Sequence, residues 1–379
     1  GLHLAQIGLL EGIYHATSIV CEIPSGAAAD LWGRKRGMVL SNLCIAVSCV
    51  IMLFSKSFGW FAVSFAVQAL GNNLNSGSEE ALVSDSMKCL GQEEHYMGVY
   101  GRLNVLIEVA QGLATVAGGV LAEFSYFWCY AACVVIAVLA LLPVLWMAEP
   151  PQCSEAADTA GGSAKDAPAE GTPAQRTIWE TVKHHFAVSA CILQKDARIG
   201  KIIGFYSVVF AAHTLLFFYS QQYFVDLGYN KVQISVIMLL VGGASCLGAL
   251  ASAKMYRRFG KRCLIPETVI IAAAILCYGS GKAGVAAAAL MCAGFANAAL
   301  YPIQSDSLNA LIPSEQRATL ISVDSMCFSI AMIVLFPLVG ALADRWGLKT
   351  VLLLLGAILL LFLLAAFCIE KESFSSDHS

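Results

Sequence analysis

Long apolar runs separated by short polar turns dominate this chain. They fall at approximately 7 to 26, 38 to 55, 59 to 82, 98 to 121, 126 to 147, 202 to 224, 233 to 253, 263 to 280, 283 to 303, 318 to 343 and 350 to 369. Each is about 18 residues or longer, enough to cross a hydrocarbon core of roughly 30 Å as a helix. Backbone polar groups in lipid must be satisfied within the segment, so the runs predict helices and the chain reads as an all-α membrane protein with eleven spans. Glu149 to Gln175 breaks the pattern: it is rich in Ala, Gly, Pro, Ser and acids without an apolar period, which predicts a disordered linker. From Arg176 to about Lys195, Ile178, Val182 and Phe186 recur at four-residue steps around Lys183, His184 and His185, the pattern of an amphipathic helix on a membrane face. The two histidines read as part of its solvated side.

The pattern repeats. Gly1, Gln6, Ile7 and Gly33 match Gly228, Gln233, Ile234 and Gly260 at an offset of 227, and Ser84-Asp85-Ser86 and Gly119 match Ser305-Asp306-Ser307 and Gly340 at an offset of 221. Two similar halves follow. The run at 202 to 224 has no counterpart in the first half, so the expectation is that a first span precedes Gly1 in the intact protein, giving twelve spans as six plus six. The expected organisation is a first bundle over 1–148 (spans two to six), a cytoplasmic linker with its amphipathic helix over 149–200, a second bundle over 201–370 and a polar cytoplasmic tail over 371–379.

Composition agrees with the periodicity: 58% of residues are hydrophobic and 13% charged, and mean hydropathy is +0.71. That much apolar surface exceeds what a soluble core of this length can hide. The net charge of −3 says less than where the cations sit. Of the 23 Lys and Arg, 18 fall on one side of the spans, and Lys56, Lys231, Lys282, Arg345 and Lys349 on the other. The positive-inside rule makes the first side cytoplasmic. The 14 Cys have no metal-ligand spacing and read as small apolar packing residues. Cys129 and Cys133 stand one helical turn apart with no His or acid beside them, so no metal site is expected.

The most informative turn is Glu22-Ile23-Pro24-Ser25-Gly26-Ala27-Ala28-Ala29-Asp30-Leu31-Trp32-Gly33-Arg34-Lys35-Arg36. It resembles the signature loop of the major facilitator superfamily, roughly G-x-x-x-D-x-x-G-R-K/R, with Gly26, Asp30, Gly33, Arg34 and Lys35 at the fixed positions. The stretch from Ser76 to Ser86, with Asp85 at its end, resembles the S-G-S-x-E-A-L-x-x-D-S pattern of a bacterial drug-efflux-like branch of that superfamily. The resemblance implies two pseudo-symmetric six-helix bundles around a central site, alternating access, and a prokaryotic plasma-membrane location. Departures are visible too. Val67-Gln68-Ala69-Leu70-Gly71 lacks the Arg that drug and proton antiporters often carry there, Gly112 to Gly119 lacks their Pro, and the second loop, Lys254 to Arg262, has Arg257 where the first has Asp30. In physical terms, Asp30 can accept charge-assisted hydrogen bonds from Arg34 and from the start of a partner helix, a latch for the cytoplasmic side with Asp85 nearby as a gate residue.

Ionisable groups within spans are costly and mark functional candidates. At about 100° per residue, Glu11, His15 and Glu22 fall within roughly 40° of one another on one helix face. Acids and imidazoles that take up and release protons on such a face are the physics of a proton-coupled site. Glu22, one turn before the signature loop, reads equally as a structural partner at the cytoplasmic gate. Glu79 or Glu80 faces the pathway, since adjacent residues point apart. Glu108, isolated among Val105, Leu106, Ile107 and Val109 with Gln111 one turn on, is a coupling or substrate-contacting acid, with Arg102 a structural counter-ion nearby. In the second half His213, Phe217 and Ser220 share a face, followed by Tyr219, Gln221, Gln222 and Tyr223. Asn297 and Asp324 add polar points.

No nucleophile and base set, phosphate loop or nucleic-acid face is evident, so no enzyme is expected. The expected activity is secondary active transport: export of hydrophobic or cationic organic compounds against proton entry, by a monomer with no cofactor and the proton gradient as its energy source. The alternatives are uptake or facilitated exchange of a metabolite on the same fold and, remotely, a non-transporting membrane sensor.

Overall fold

The computed structural model describes residues 2–92, 95–148, 197–260, 264–309 and 317–376, and among them every regular element is helical. The order is α1 (Leu4–Trp32), α2 (Arg34–Phe54), α3 (Phe58–Cys89), α4 (Tyr96–Phe124), α5 (Tyr126–Trp146), α6 (Ala197–Asp226), α7 (Lys231–Phe259), α8 (Leu264–Cys277, continued by a 3-10 turn, Tyr278–Ser280), α9 (Ala283–Asn309), α10 (Arg317–Trp346) and α11 (Leu348–Ser376). Each apolar run is a helix. The linker and the amphipathic helix expected before Lys195 lie outside the described residues.

Eight of these helices carry an 18-residue window long and apolar enough to cross a membrane. The others are instructive. The α8 helix has 14 residues, whereas α1 and α3 are long but diluted by acids, amides and hydroxyls, among them Glu11, Glu22, Asn72, Asn73, Asn75 and Glu79. Most helices outrun their apolar runs by a few residues because lipid limits the greasy stretch, not the hydrogen-bond ladder, which continues into polar ends. Turns are minimal: Gly33, at φ 98°, is the sole residue between α1 and α2, a conformation that favours glycine. The α7 helix starts with a capping box in which Asn230 Oδ1 accepts from Gln233 N (2.8 Å) and Gln233 Oε1 accepts from Asn230 N (3.0 Å).

The chain packs as two compact units. One comprises Gly1–His15, Gln111–Cys129 and Leu193–Ser379, so it contains α6 to α11 together with the first half of α1 and the last half of α4. Its core is large apolar side chains: Leu215, Leu216 and Phe224 of α6, Ile271 and Ile275 of α8, Leu290 of α9, Met332 and Phe336 of α10. The α7 and α9 helices approach through small residues. A Cβ at Gly248 would overlap the Phe295 carbonyl, one at Gly294 would lie 2.8 Å from Ser245 Oγ, and buried Ser252 donates to the Ala299 carbonyl at 2.9 Å. Lipid tails are as apolar as Leu, so membrane helices gain from such close backbone contact rather than from hydrophobic burial.

The other unit comprises Ala16–Ala110 and Tyr130–Ile192. Its α2 and α3 helices pair by the same means. Ser48 and Ser64 are buried with their hydroxyls 3.1 Å apart, Ser64 Oγ donates to the Ser48 carbonyl at 2.9 Å, and Gly71 sits against Ser41, Cys44 and Ile45. Ser18 of α1 joins α3 through Asn73, donating to its Oδ1 (2.9 Å) while Asn73 Nδ2 donates to the Ser18 carbonyl (2.7 Å).

Candidate functional site

The first half of α1 places its polar residues against α10 and α6. Gly8 and Gly12 carry no Cβ, and the α10 backbone around Phe336 and Pro337 fills that space. Glu11 and His15, four residues apart, therefore share a face at close range. His15 Nδ1 is 3.4 Å from Ser329 Oγ of α10. Aromatic rings surround the imidazole: Phe328 edge-on at 5.7 Å and Phe336 stacked at 6.3 Å, with Tyr14 at 5.5 Å. From α6, Phe218 packs edge-on to Phe336 at 5.4 Å, and Tyr219 donates to the Phe336 carbonyl at 2.9 Å. The Glu11 carboxylate is half-buried and close enough to the Tyr219 hydroxyl to act on it electrostatically. The cluster thus joins one acid, one imidazole and two hydroxyls within aromatic walls. That combination can carry a proton and can hold an organic ligand through its rings or its charge.

Other expected residues are dispersed. Glu22 is half-buried in the other unit, and Ser25 Oγ donates to its carbonyl at 2.9 Å. Glu79 accepts from Asn75 Nδ2 one turn earlier at 2.8 Å, a contact within its own helix. Glu108 and Gln111 are exposed on α4, and Gln221 is exposed on α6. Phe217 is half-buried and its carbonyl accepts from Ser220 Oγ at 2.7 Å. His213 Nε2 and Asn297 Oδ1 are buried without a hydrogen-bond partner among the described residues. In the signature loop Lys35 Nζ donates to the Leu145 carbonyl at 2.8 Å, so this cation closes the end of α5, and Arg34 is half-buried. The side chains of Gly26 to Asp30, and of Glu80 and Asp85, lie outside the described residues.

Three contributors carry no local mark in the sequence. Ser329 and Tyr219 reach the α1 acid and imidazole from hundreds of positions away. Gln304, 1% exposed, donates through Nε2 to both carboxylate oxygens of Asp324 at 3.1 Å, tying α9 to α10. Replacing Gln304 by Met keeps the volume but leaves that carboxylate without its donor. Thermal unfolding in detergent should then show a loss of about 1–3 kcal/mol, and an unchanged unfolding temperature would mean that water replaces the amide. Glu267, at the start of α8, is 1% exposed with neither oxygen partnered among the described residues.

The family model described as Major Facilitator Superfamily matches residues 1–327 and 268–377. The chain belongs to that superfamily. This transporter is 21% identical over 359 residues to the uncharacterized MFS-type transporter YxaM of Bacillus subtilis (strain 168), covering 94% of this chain and 85% of that one. A second relative, an uncharacterized transporter of Buchnera aphidicola subsp. Schizaphis graminum (strain Sg), is 29% identical over 137 residues, 35% of this chain and 34% of that one. Among solved structures, the nucleoside transporter NupG superposes with a TM-score of 0.72 at 16% identity, covering 98% and 91% of the two chains. A D-xylose-proton symporter superposes at 0.67 with 15% identity, covering 96% and 88%. The facilitator fold, membership among transporters and a multi-pass membrane location thus stand together with the eleven helices and their apolar windows.

Proposed function

We propose that this transporter couples the movement of an organic solute to protons by alternating access, exporting hydrophobic or cationic compounds against proton entry. The observation that carries the reading is the cluster of Glu11, His15, Ser329 and Tyr219 within the rings of Phe328 and Phe336. An acid beside aromatic faces suits an organic cation or a proton in turn, so the two compete for one charge. No bound cofactor takes part, and the proton gradient supplies the energy. The departures at Leu70 and in α4 leave uptake as the rival, and it gains support from structures named for nucleoside transport and D-xylose-proton symport that share the fold.

The test uses the intact protein in inverted vesicles, with a fluorescent dye reporting the proton gradient while cationic dyes and drugs, nucleosides and pentoses are added in turn. Dissipation of the gradient by cationic or hydrophobic compounds is the expected result. Gradient-independent accumulation of a nucleoside or pentose, with no response to cations, would move the assignment to uptake or facilitated exchange. Silence for every compound in both vesicle orientations would remove proton-coupled transport of these classes.

A further inference from the structure

The α4 and α10 helices end in copies of one short pattern. Gly119-Val120-Leu121-Ala122-Glu123 and Gly340-Ala341-Leu342-Ala343-Asp344 lie 221 positions apart and share a Gly, a Leu, an Ala and an acid at the same spacing. Each meets the beginning of another helix, and those two are copies as well. His3 N donates to Gln6 Oε1 (3.0 Å) before α1 as Asn230 N donates to Gln233 Oε1 (3.0 Å) before α7, 227 positions later.

The two contacts are built alike. Asp344 accepts from the first amides of α1, Leu4 N to Oδ1 at 3.0 Å and Ala5 N to Oδ2 at 2.8 Å. Glu123 Oε2 accepts from the first amide of α7, Lys231 N, at 3.1 Å. These N–H groups have no partner within their own helices, and an anion there is favoured by both the free donors and the helix dipole. The glycines allow the approach. A Cβ at Gly340 would overlap the Leu4 carbonyl and lie 2.8 Å from the Tyr219 hydroxyl, and one at Gly119 would overlap Ser235. The α7 contact has an extra tie, because Lys231 Nζ donates to the Ala122 carbonyl and rests 4.2 Å above the Tyr126 ring. Leu4 supplies no such group, so the α1 contact depends on Asp344.

The same spacing occurs in Gly26-Ala27-Ala28-Ala29-Asp30, and the likeness to 340–347 extends through Trp32 and Trp346 to Gly33 and Gly347. Both terminal glycines have positive φ, 98° and 81°. The Asp30 copy stands at the end of α1, whereas Asp344 holds its beginning, about 40 Å away along a helix of this length.

Resting on the transport reading above, we propose that Gly119 with Glu123 and Gly340 with Asp344 are paired clamps that close the transporter on the side opposite its cation-rich loops, and that both must release for that side to open. Glu123 and Asp344 act here as positioning residues of the cycle. They grip helix beginnings through backbone amides and leave the solute to the Glu11 cluster.

Hydrogen exchange read by mass spectrometry on the intact protein in lipid nanodiscs tests this without any solute. In Asp344→Ala, exchange over residues 4–10 should rise about fivefold, the fold-change that ~1 kcal/mol represents. In Glu123→Ala the rise should fall on residues 231–237, and in the double variant on both. Exchange over α8 and α11 should stay at the wild-type rate. If the alanine variants fail to fold, Asp344→Asn and Gly340→Ala should give the same local pattern, since the first removes the charge and the second pushes the Leu4 carbonyl away. Wild-type exchange at residues 4–10 and 231–237 in the folded variants overturns the proposal, as does a rise spread evenly over all helices. Local opening in a protein that moves no solute would remove the transport reading but keep the clamps. Solute flux with unchanged local exchange would remove the clamps alone.

Discussion

In Glu11→Gln, solute-dependent proton movement should fall at least about tenfold, a change of ~1.4 kcal/mol, in protein that folds and reaches the membrane as the wild type does. Gln keeps the shape and the hydrogen-bonding oxygen of Glu11 while losing the ability to carry a proton or to balance a cation. The structure separates these two roles experimentally. If Glu11 carries the proton, exchange of solute down its own gradient survives in the variant, because the rings of Phe328 and Phe336 and the Ser329 hydroxyl still line the same place. If Glu11 balances a cationic solute, exchange and equilibrium binding fall together. Gradient-driven flux at the wild-type rate in Glu11→Gln would remove this acid from the cycle. His15→Asn adds a second reading, because Asn can keep a bond to Ser329 without the titrating imidazole.

The second large effect concerns folding. Gly248→Leu should yield little or no folded protein, with a cost of about 3 kcal/mol or more. The Phe295 carbonyl occupies the space a Cβ would need, and it belongs to backbone that cannot rotate away as a side chain can. Moving α9 back would also stretch the bond from Ser252 to the Ala299 carbonyl, 2.9 Å as it stands. Fluorescence-detected size exclusion in mild detergent should show aggregate where the wild type gives one symmetric peak. Gly242 and Gly243, on the same helix, have nothing within 4 Å of a built Cβ, so Gly242→Ala should elute as the wild type does. A monodisperse Gly248→Leu protein would mean that α7 and α9 part more easily than their small residues imply.

Much of the architecture was legible in the chain because lipid imposes one demand on each segment: length plus apolarity. Every run became a helix, and the polar residues of α1 and α3 that lowered their hydropathy were the ones singled out as candidates. Glu11 and His15 were visible as a pair because helical spacing fixes their relative positions without reference to any other element. Their surroundings were not. Ser329 is 314 positions from His15, and a serine in an apolar run looks the same whether it faces an imidazole or its own backbone. Tyr219 and Tyr223 stood among residues suited to a ligand, yet both are buried and give their hydroxyls to the carbonyls of Phe336 and Tyr278. Gln304 and Glu267 escaped notice at the ends of runs, where a polar residue is the ordinary sign of water. Burial there depends on which neighbouring helix overhangs the end, and spacing along one chain does not encode that.

The hold of Asp344 on α1 is made to main-chain nitrogens, and this has a consequence for how the two partners can vary. A carboxylate bonded to the amides of Leu4 and Ala5 is blind to the identity of position 5, so long as the residue there is not proline, which has no N–H to offer. Position 344 has no such freedom, since it needs a short side chain that presents two acceptors, and position 340 has less still. One surface of the contact is therefore free to drift while the other is pinned. A chain that must diversify the mouth of its solute path for new compounds has, at the start of α1, a place where it can do so without loosening the grip.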